Sequence, residues 1–158
     1  MSANRLSRAL VLCAAGAILA ALAPVHAAGR LCKLEISAND LMRYDRKELH
    51  AAADCTVIQV KLTHTGKLPA SAMGHNWVLV ESKDLEGVAN AGAAAGFTEN
   101  YLAPGDPRII AATRLIGGGQ STTVTFPASR LKLGRSYMYL CTAPGHNALM
   151  RGIFHYGG

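Results

Sequence analysis

Hydrophobic and polar residues alternate with a period of two along several short stretches of this chain. In TVIQVKLT, at 56–63, the pattern places Ile58, Val60 and Leu62 on one face. This period is typical of a β-strand that buries one face and exposes the other. The same pattern, in longer or shorter form, predicts further strands at 34–37, 121–126, 135–141 and 152–156.

One stretch is apolar without alternation. HNWVLVES, at 75–82, is continuously apolar in its middle, as expected for a strand in the core of a sandwich. Turn sequences separate the predicted strands, at Thr65-Gly66-Lys67, Gly105-Asp106-Pro107, Gly117-Gly118-Gly119 and Leu133-Gly134. The pattern as a whole predicts an all-β fold, an antiparallel β-sandwich.

The segment KDLEGVANAGAAAGFTENYL, at 83–102, departs from the strand pattern. It is rich in alanine, the residue with the highest helix propensity. Gly87, Gly92 and Gly96 argue against one long helix, since glycine weakens a helix interior. We therefore predict a short, partly helical flap inserted between strands.

Residues 1–27 have the composition of a secretory signal peptide. Two arginines precede an apolar run at 9–24, and Val-His-Ala at 25–27 suits a signal peptidase. The apolar run is shorter than the ~20 residues that a membrane-spanning helix needs. We predict cleavage after residue 27, one domain at 28–158, and no stable membrane insertion afterwards.

Charge excludes one class of partner. The chain has 16 lysine and arginine residues against 10 aspartate and glutamate residues, a formal net charge of +6. Loss of Arg5 and Arg8 with the signal would leave 14 basic residues and a charge of +4. These residues are scattered and form no stripe with interleaved aromatic residues, so nucleic-acid binding is not expected.

Export also determines how the cysteines are used. Cys13 lies in the signal, which leaves Cys32, Cys55 and Cys141 in the mature chain. In an oxidising compartment two of three thiols are expected to pair. Cys32 and Cys55 suit a structural disulfide, so Cys141 is the odd cysteine that needs another explanation.

Cys141 lies in a short run of candidate metal ligands. The run CTAPGHNALM contains Cys141, His146 and Met150, with Pro144 and Gly145 between them. A chain that turns back at the proline and glycine can direct the thiolate and the imidazole to one ion, with the thioether along its axis. Thiolate and thioether favour Cu(I), and imidazole suits Cu(II) as well.

A second imidazole is needed to complete a copper site. The mature chain offers His50, His64, His75 and His155. We favour His75 because it lies where a turn containing Gly74 enters the apolar strand, which holds the ring at the rim of the core. Glycine also lets a backbone carbonyl approach a metal closely. Two histidines, one cysteine and a distant methionine are the ligand set of blue-copper electron-transfer sites.

Three stretches carry a resemblance to a known family. LPASAMGHNWVL, YLAPGDPRIIAATRLIGGG and YLCTAPGHNALMRG resemble the azurins, bacterial periplasmic blue-copper proteins, and the resemblance covers about residues 30–154. It implies a cupredoxin-like fold, an antiparallel Greek-key β-sandwich or barrel. It also implies one type 1 copper per chain, cycling between Cu(I) and Cu(II), and a soluble periplasmic location.

The resemblance implies a role for each matching residue. His75, Cys141 and His146 are expected to be the strong copper ligands, and Met150 the weak axial ligand. The carbonyl of Gly74 is expected to be a distant contact on the opposite side.

Residues around the ligands also match. Asn76 resembles the residue whose N–H bonds the cysteine sulfur and whose side chain connects the two ligand loops, and Trp77 resembles the buried indole of the azurin barrel. An apolar patch around His146 is expected to pass electrons to partners such as c-type cytochromes or periplasmic reductases. The patch consists of Leu68, Met73, Pro144, Gly145, Ala148 and Leu149.

The sequence departs from the azurin pattern in a few places. Ala143 stands where azurins usually have phenylalanine, which predicts a thinner cover over the metal and a smaller patch. His64 matches a histidine near the copper, and we interpret it as structural, as a lone histidine after an apolar strand most often is. The last segment, IFHYGG, differs from the usual final strand, and the sequence suggests no function for His155.

Two other functions would use the same ligands. Copper storage or delivery is the alternative, but the chain lacks the Met-rich or Cys-x-x-Cys sites that exchange copper readily. A copper enzyme would need more clustered histidines, and His50, His64 and His155 are dispersed along the chain. We therefore predict a one-electron carrier that is not an enzyme.

Overall fold

The computed structural model describes residues 29–157, and within this range the chain forms nine β-strands and two α-helices. The strands are β1 (Arg30–Asn39), β2 (Arg43–Tyr44), β3 (Glu48–Ala51), β4 (Cys55–His64), β5 (Val78–Glu81), β6 (Ala111–Ala112), β7 (Ser121–Pro127), β8 (Tyr137–Leu140) and β9 (Arg151–Tyr156). The helices are α1 (Ala70–Met73) and α2 (Leu85–Ala95). The predicted signal peptide at 1–27 lies outside the described residues. Among residues 29–157, no helix is long and apolar enough to cross a membrane.

The strands form two sheets, which confirms the predicted β-sandwich. One sheet has the order β2-β1-β4-β7 and the other the order β3-β9-β8-β5-β6. Most neighbouring strands are antiparallel, as predicted, but the sheets are mixed, because β1 pairs with β4, and β3 with β9, in parallel. The chain leaves the first sheet after β2, forms β3 in the second sheet and returns as β4 beside β1. Such a crossover makes neighbouring strands parallel.

The core lies between the sheets. Ile58, Val60 and Leu62, the predicted inner face of β4, are fully buried. The indole of Trp77 is also fully buried, and it packs against the rings of Tyr139 and Phe154 at centroid distances of 6.0 and 6.2 Å. This aromatic cluster supports β5, β8 and β9, the three strands next to the candidate site.

Strand β5 is buried on both faces, which explains its unbroken apolar sequence. Trp77 and Leu79 belong to the core between the sheets, whereas Val78 and Val80 lie under α2. The helix covers this outer face with Leu85, Val88 and Ala89. The predicted flap is therefore a packed part of the domain.

Helix α2 is longer than predicted, because two of its glycines do not interrupt it. The helix has 11 residues, runs through Gly87 and Gly92, and ends at Gly96, whose φ of 82° is left-handed. At Gly92 an added Cβ would lie 2.3 Å from the carbonyl oxygen of Tyr101 and 2.8 Å from Cβ of Thr142. Gly92 therefore permits close packing of the helix on the segment that follows β8.

A disulfide joins Cys32 to Cys55, as predicted, with their Cα atoms 5.7 Å apart. It connects the beginnings of the parallel strands β1 and β4. A bridge of this kind typically stabilises a domain by about 2–4 kcal/mol. The opposite ends of the same strands, at Asn39 and His64, lie next to the candidate metal centre.

Candidate metal centre

Strand pairing brings the predicted ligands together. His75 precedes β5 and Cys141 directly follows β8, and these strands are antiparallel neighbours in which Val78 lies opposite Leu140. His146 begins a single 3₁₀ turn at 146–148, between β8 and β9. Two segments that are distant in sequence, one with His75 and one with Cys141 and His146, therefore meet at one end of the sandwich.

The three ligand atoms lie close enough to share one ion. Nδ1 of His75 lies 3.2 Å from Nδ1 of His146, and Sγ of Cys141 lies 3.6 Å from the same nitrogen. One ligand atom from each residue lies within 4.8 Å of the others. Metal–nitrogen bonds of about 2.0 Å and metal–sulfur bonds of about 2.3 Å in trigonal geometry give ligand separations of about 3.5 Å. His75 and Cys141 are fully buried, and His146 is 8% exposed.

A hydrogen bond fixes the ring orientation of His75. Its Nε2 donates to the carbonyl of Asn39 at 2.9 Å, which leaves Nδ1 without a proton and directed at the other ligands. Burial lowers the pKa of His75 to about 4, although the Asn39 carbonyl raises it. The pKa of His146 is also lowered by burial. Both imidazoles are therefore neutral near pH 7, as metal ligands must be.

The Cys141 sulfur accepts hydrogen bonds from the backbone N–H groups of Asn76 and Ala143, which favour the thiolate. Burial has the larger effect and raises the pKa of Cys141 to about 11. Cys141 is the free cysteine of residues 29–157, and without metal it is a protonated thiol. A bound cation shifts this balance, because it deprotonates a coordinating thiol.

Met150 is fully buried and held between the ligands by its backbone. Its N–H donates to the carbonyl of His146 at 2.8 Å, and its carbonyl accepts from the N–H of Cys141 at 2.9 Å. The segment from Cys141 to Met150 is thus a closed loop of two ligands and the predicted axial residue.

Gly74 is also buried, directly before His75. An added Cβ would lie 2.4 Å from the carbonyl oxygen of Ala70 and 2.8 Å from Cδ2 of Leu115. Its φ of −70° is available to any residue. Close packing, rather than an unusual backbone conformation, is therefore what requires glycine here.

The side chain of Asn76 connects the two ligand segments. Its Nδ2 donates to Oγ1 of Thr142 and to the carbonyl of Asn100, both at 2.8 Å, and its Oδ1 accepts from the N–H of Thr142 at 3.0 Å. The hydroxyl of Thr142 in turn donates to the carbonyl of Tyr101 at 2.6 Å. The residue after His75 and the residue after Cys141 are thereby held in fixed relation.

His64 lies behind His75. The two rings stack with centroids 4.6 Å apart. Nε2 of His64 donates to the carbonyl of Met73 at 2.8 Å, and its Nδ1 accepts from the N–H of Gly66 at 3.0 Å. With both ring nitrogens engaged, His64 is a buried support for His75, which favours the structural interpretation.

The residues of the predicted apolar patch differ in their exposure. Leu68 and Leu149 are 42% and 51% exposed, and Met73 is half-buried. The loop residues Pro144, Gly145 and Ala148 are also exposed.

A shallow hollow of about 170 Å³ separates α1 from the ligand loop, and its lining includes Gly74, Tyr101, Ala143, Pro144 and His146. Ala143 is buried and contributes only a methyl group to this lining. The hollow lies where the sequence predicts a thinner cover.

The donor set fits copper. A sulfur and two imidazole nitrogens are the ligands that copper takes in its two oxidation states. Their spacing, their burial and the absence of protons on the facing nitrogen of His75 satisfy the requirements of a preformed site.

Several residues of the site were not predicted. The Asn39 carbonyl orients His75 from a strand 36 positions earlier in sequence, and no local pattern indicates such a contact. Thr142 follows Cys141 directly, where strand alternation would have directed its side chain away from the cysteine. It is nevertheless buried, because Asn76 and Tyr101 provide its hydrogen-bond partners.

Comparisons with known proteins agree with the geometry. Residues 30–155 match the model of the copper binding proteins, plastocyanin/azurin family. Azurin from Pseudomonas chlororaphis is 46% identical over 121 residues, which cover 77% of this chain and 94% of that protein. Azurin-1 from Alcaligenes xylosoxydans xylosoxydans is 46% identical over 122 residues, covering 77% and 95%.

A solved structure is also similar. The azurin Az-iso2 from the obligate methylotroph Methylomonas sp. strain J superposes with a TM-score of 0.77 at 41% identity, covering 79% of this chain and 97% of that one. Fold, donor set and sequence identity lead to one assignment: this chain is a cupredoxin that binds copper, and it belongs to the plastocyanin/azurin family.

Proposed function

We propose that this protein is a periplasmic one-electron carrier that exchanges electrons with redox partner proteins through a single copper. The observation that carries the proposal is the convergence of His75, Cys141 and His146 in a buried, hydrogen-bonded arrangement. Copper would be held there by His75, Cys141 and His146, with Met150 and the Gly74 carbonyl as the proposed weaker ligands, and it would supply the Cu(I)/Cu(II) couple.

The surrounding chain keeps the ligands in place. The Asn39 carbonyl fixes the ring of His75, and the N–H groups of Asn76 and Ala143 hold the sulfur. Ligands held by packed strands move little when the charge of the site changes. A small rearrangement is what rapid electron transfer requires, and it supports a carrier.

His146 is the proposed route for the electron. His146 is 8% exposed, whereas His75 and Cys141 are fully buried. The loop residues Pro144 and Ala148 are exposed as well. Exposed apolar surface of this kind marks docking sites. The partners would be redox proteins with apolar faces of their own, such as c-type cytochromes or periplasmic reductases.

Copper storage or delivery is the competing function. A delivery protein must release its metal, whereas two of the three ligands here are fully buried. We therefore expect a strong chelator to remove copper over hours. Complete removal within seconds would favour delivery.

The decisive experiment is a visible absorption spectrum recorded while Cu(II) is added to the reduced, metal-free protein. We expect an intense blue thiolate-to-copper band that saturates at one equivalent, disappears on reduction and returns on oxidation. Cys141→Ser should remove the band. His50→Asn, a histidine outside the centre, is the matched control and should retain it. A weak band, or one that persists in Cys141→Ser, would contradict the proposed ligand set.

Location requires a separate test. When the full chain is expressed in a Gram-negative host, we expect the protein in the periplasmic fraction to begin at Ala28. Recovery of the uncleaved chain from the cytoplasm would contradict the proposed export.

A further inference from the structure

A second cluster of ligand side chains lies on the outer face of β3 and β9, at the edge of the five-stranded sheet. Strand alternation exposes Glu48 and His50 while it buries Leu49 and Ala51. The parallel register places His155 of β9 beside His50. A carboxylate and two imidazoles therefore share one surface, and none of the three belongs to the ligand set of the copper centre.

The ligand atoms of this cluster converge. Oε2 of Glu48 lies 3.5 Å from Nε2 of His50 and 3.4 Å from Nε2 of His155. One ligand atom from each of the three residues lies within 4.8 Å of the others. An ion bound at about 2.0–2.2 Å by nitrogen and oxygen in tetrahedral geometry separates its ligand atoms by about 3.3 Å. The two distances from the Glu48 carboxylate are close to this value.

One of these atoms has no other role. Nε2 of His155 is buried from solvent, and among residues 29–157 it has no hydrogen-bond partner, because its contact with Glu48 lacks hydrogen-bond geometry. Buried polar atoms are nearly always paired, so an unpaired one indicates a missing partner. A neutral imidazole nitrogen can bind a metal ion through its lone pair, so a metal ion could be this partner.

The rings must tilt to bind an ion. The imidazoles of His50 and His155 are stacked, with centroids 4.3 Å apart and planes at 7°, so their Nε2 lone pairs lie in nearly parallel planes and do not meet at one point. The side chains are 59% and 38% exposed. A rotation about their side-chain bonds can therefore direct both lone pairs to a point beside the Glu48 carboxylate.

We propose that Glu48, His50 and His155 form a surface site for a divalent transition-metal ion of the zinc class. Nitrogen and carboxylate ligands suit zinc, and three protein ligands leave a fourth position for water. The bound ion connects the edge strand β3 to β9 and stabilises the folded chain, because it binds that state alone. This site is independent of the electron-carrier proposal.

Zinc titration by calorimetry tests the site. The metal-free chain is compared with Glu48→Gln and His155→Asn, and with Glu99→Gln, which makes the same change at an exposed carboxylate outside the cluster. We expect the chain and Glu99→Gln to bind one more equivalent of zinc than the two cluster variants. Any residual binding at the altered site should be at least about tenfold weaker, since changes even outside the ligand shell cost about 10- to 100-fold.

The test depends on the difference in zinc equivalents between variants, so zinc in the copper centre contributes equally to all of them. Urea unfolding without zinc checks that each variant is folded. If one is not, His50→Asn replaces it, because this side chain is exposed. Equal zinc equivalents in all variants would overturn the proposal. So would NMR spectra in which zinc leaves the ring signals of His50 and His155 unchanged.

Discussion

Replacing Asn76 with alanine tests whether its side chain holds the two ligand segments together. The substitution removes two bonds of 2.8 Å and one of 3.0 Å, to Thr142 and Asn100. Each contributes about 0.5–1.5 kcal/mol net, and a buried N–H left unpaired costs about 1–3 kcal/mol more. Because the N–H of Thr142 would be left unpaired, we expect the free energy of unfolding of the metal-free chain to fall by about 3–7 kcal/mol.

Urea unfolding monitored by tryptophan fluorescence measures this change, provided that the dependence on urea keeps the same slope. Asn147→Ala is the matched control, since its side chain makes a single 3.5 Å contact with Glu86 at the surface. It should cost less than about 0.5 kcal/mol. A double-mutant cycle with Thr142→Val should show coupling, because the residues are in direct contact. A loss below about 1 kcal/mol for Asn76→Ala, or strictly additive effects with Thr142→Val, would refute this account of the connection.

Three further predictions concern the same region. Gly74→Ala should destabilise the metal-free chain by about 1–3 kcal/mol in urea unfolding, because the added Cβ overlaps the Ala70 carbonyl. The control Gly87→Ala should be neutral or stabilising, since the nearest neighbour of its Cβ is the end of a flexible side chain. Equal effects of the two substitutions would contradict this. At pH 7, iodoacetamide should modify Cys141 in the folded, metal-free chain at least about 100-fold more slowly than in the chain unfolded in urea, because burial raises the pKa of the thiol from 9.0 to about 11. Similar rates in the two states would refute the burial argument. Because the pKa of His75 is lowered in the folded chain, the unfolded state binds a proton at higher pH than the folded state does. The urea midpoint of the metal-free chain should therefore fall as the pH is lowered from 6.5 towards about 4, and the fall should be smaller in His75→Gln. Identical pH profiles for the two chains would contradict the lowered pKa.

The elements that sequence reasoning predicted are those whose pattern reflects burial. The alternation at 56–63 corresponds to β4, and the apolar run at 75–82 contains β5, because both bury side chains in the core. Strands β2 and β6 have two residues each, too few to show a period. Parallel pairing of β1 with β4 could not be predicted, since alternation is the same in both orientations.

The candidate site likewise has residues that the local sequence predicts and residues that only tertiary contacts reveal. His75, Cys141 and His146, which the fold brings together, could be predicted as ligands because ligand chemistry limits the residue types and because their spacing resembles that of the azurins. The Asn39 carbonyl could not, since any residue offers a carbonyl and only the fold determines which one faces a histidine. The role of Gly92 was misjudged for a related reason: its effect on helix propensity is local, whereas its packing on Thr142 is tertiary.

Strand β1 separates the Cys32–Cys55 disulfide from the free thiol of Cys141. It carries Cys32 of the disulfide near its start and, seven positions later, ends at Asn39, whose carbonyl orients the proposed ligand His75. A strand advances about 3.3 Å per residue, so these points lie about 23 Å apart. Thiol–disulfide exchange requires sulfur atoms to touch. While the chain is folded, Cys141 therefore cannot attack the bridge, and one molecule keeps an oxidised pair and a reduced thiol in the same surroundings without either consuming the other.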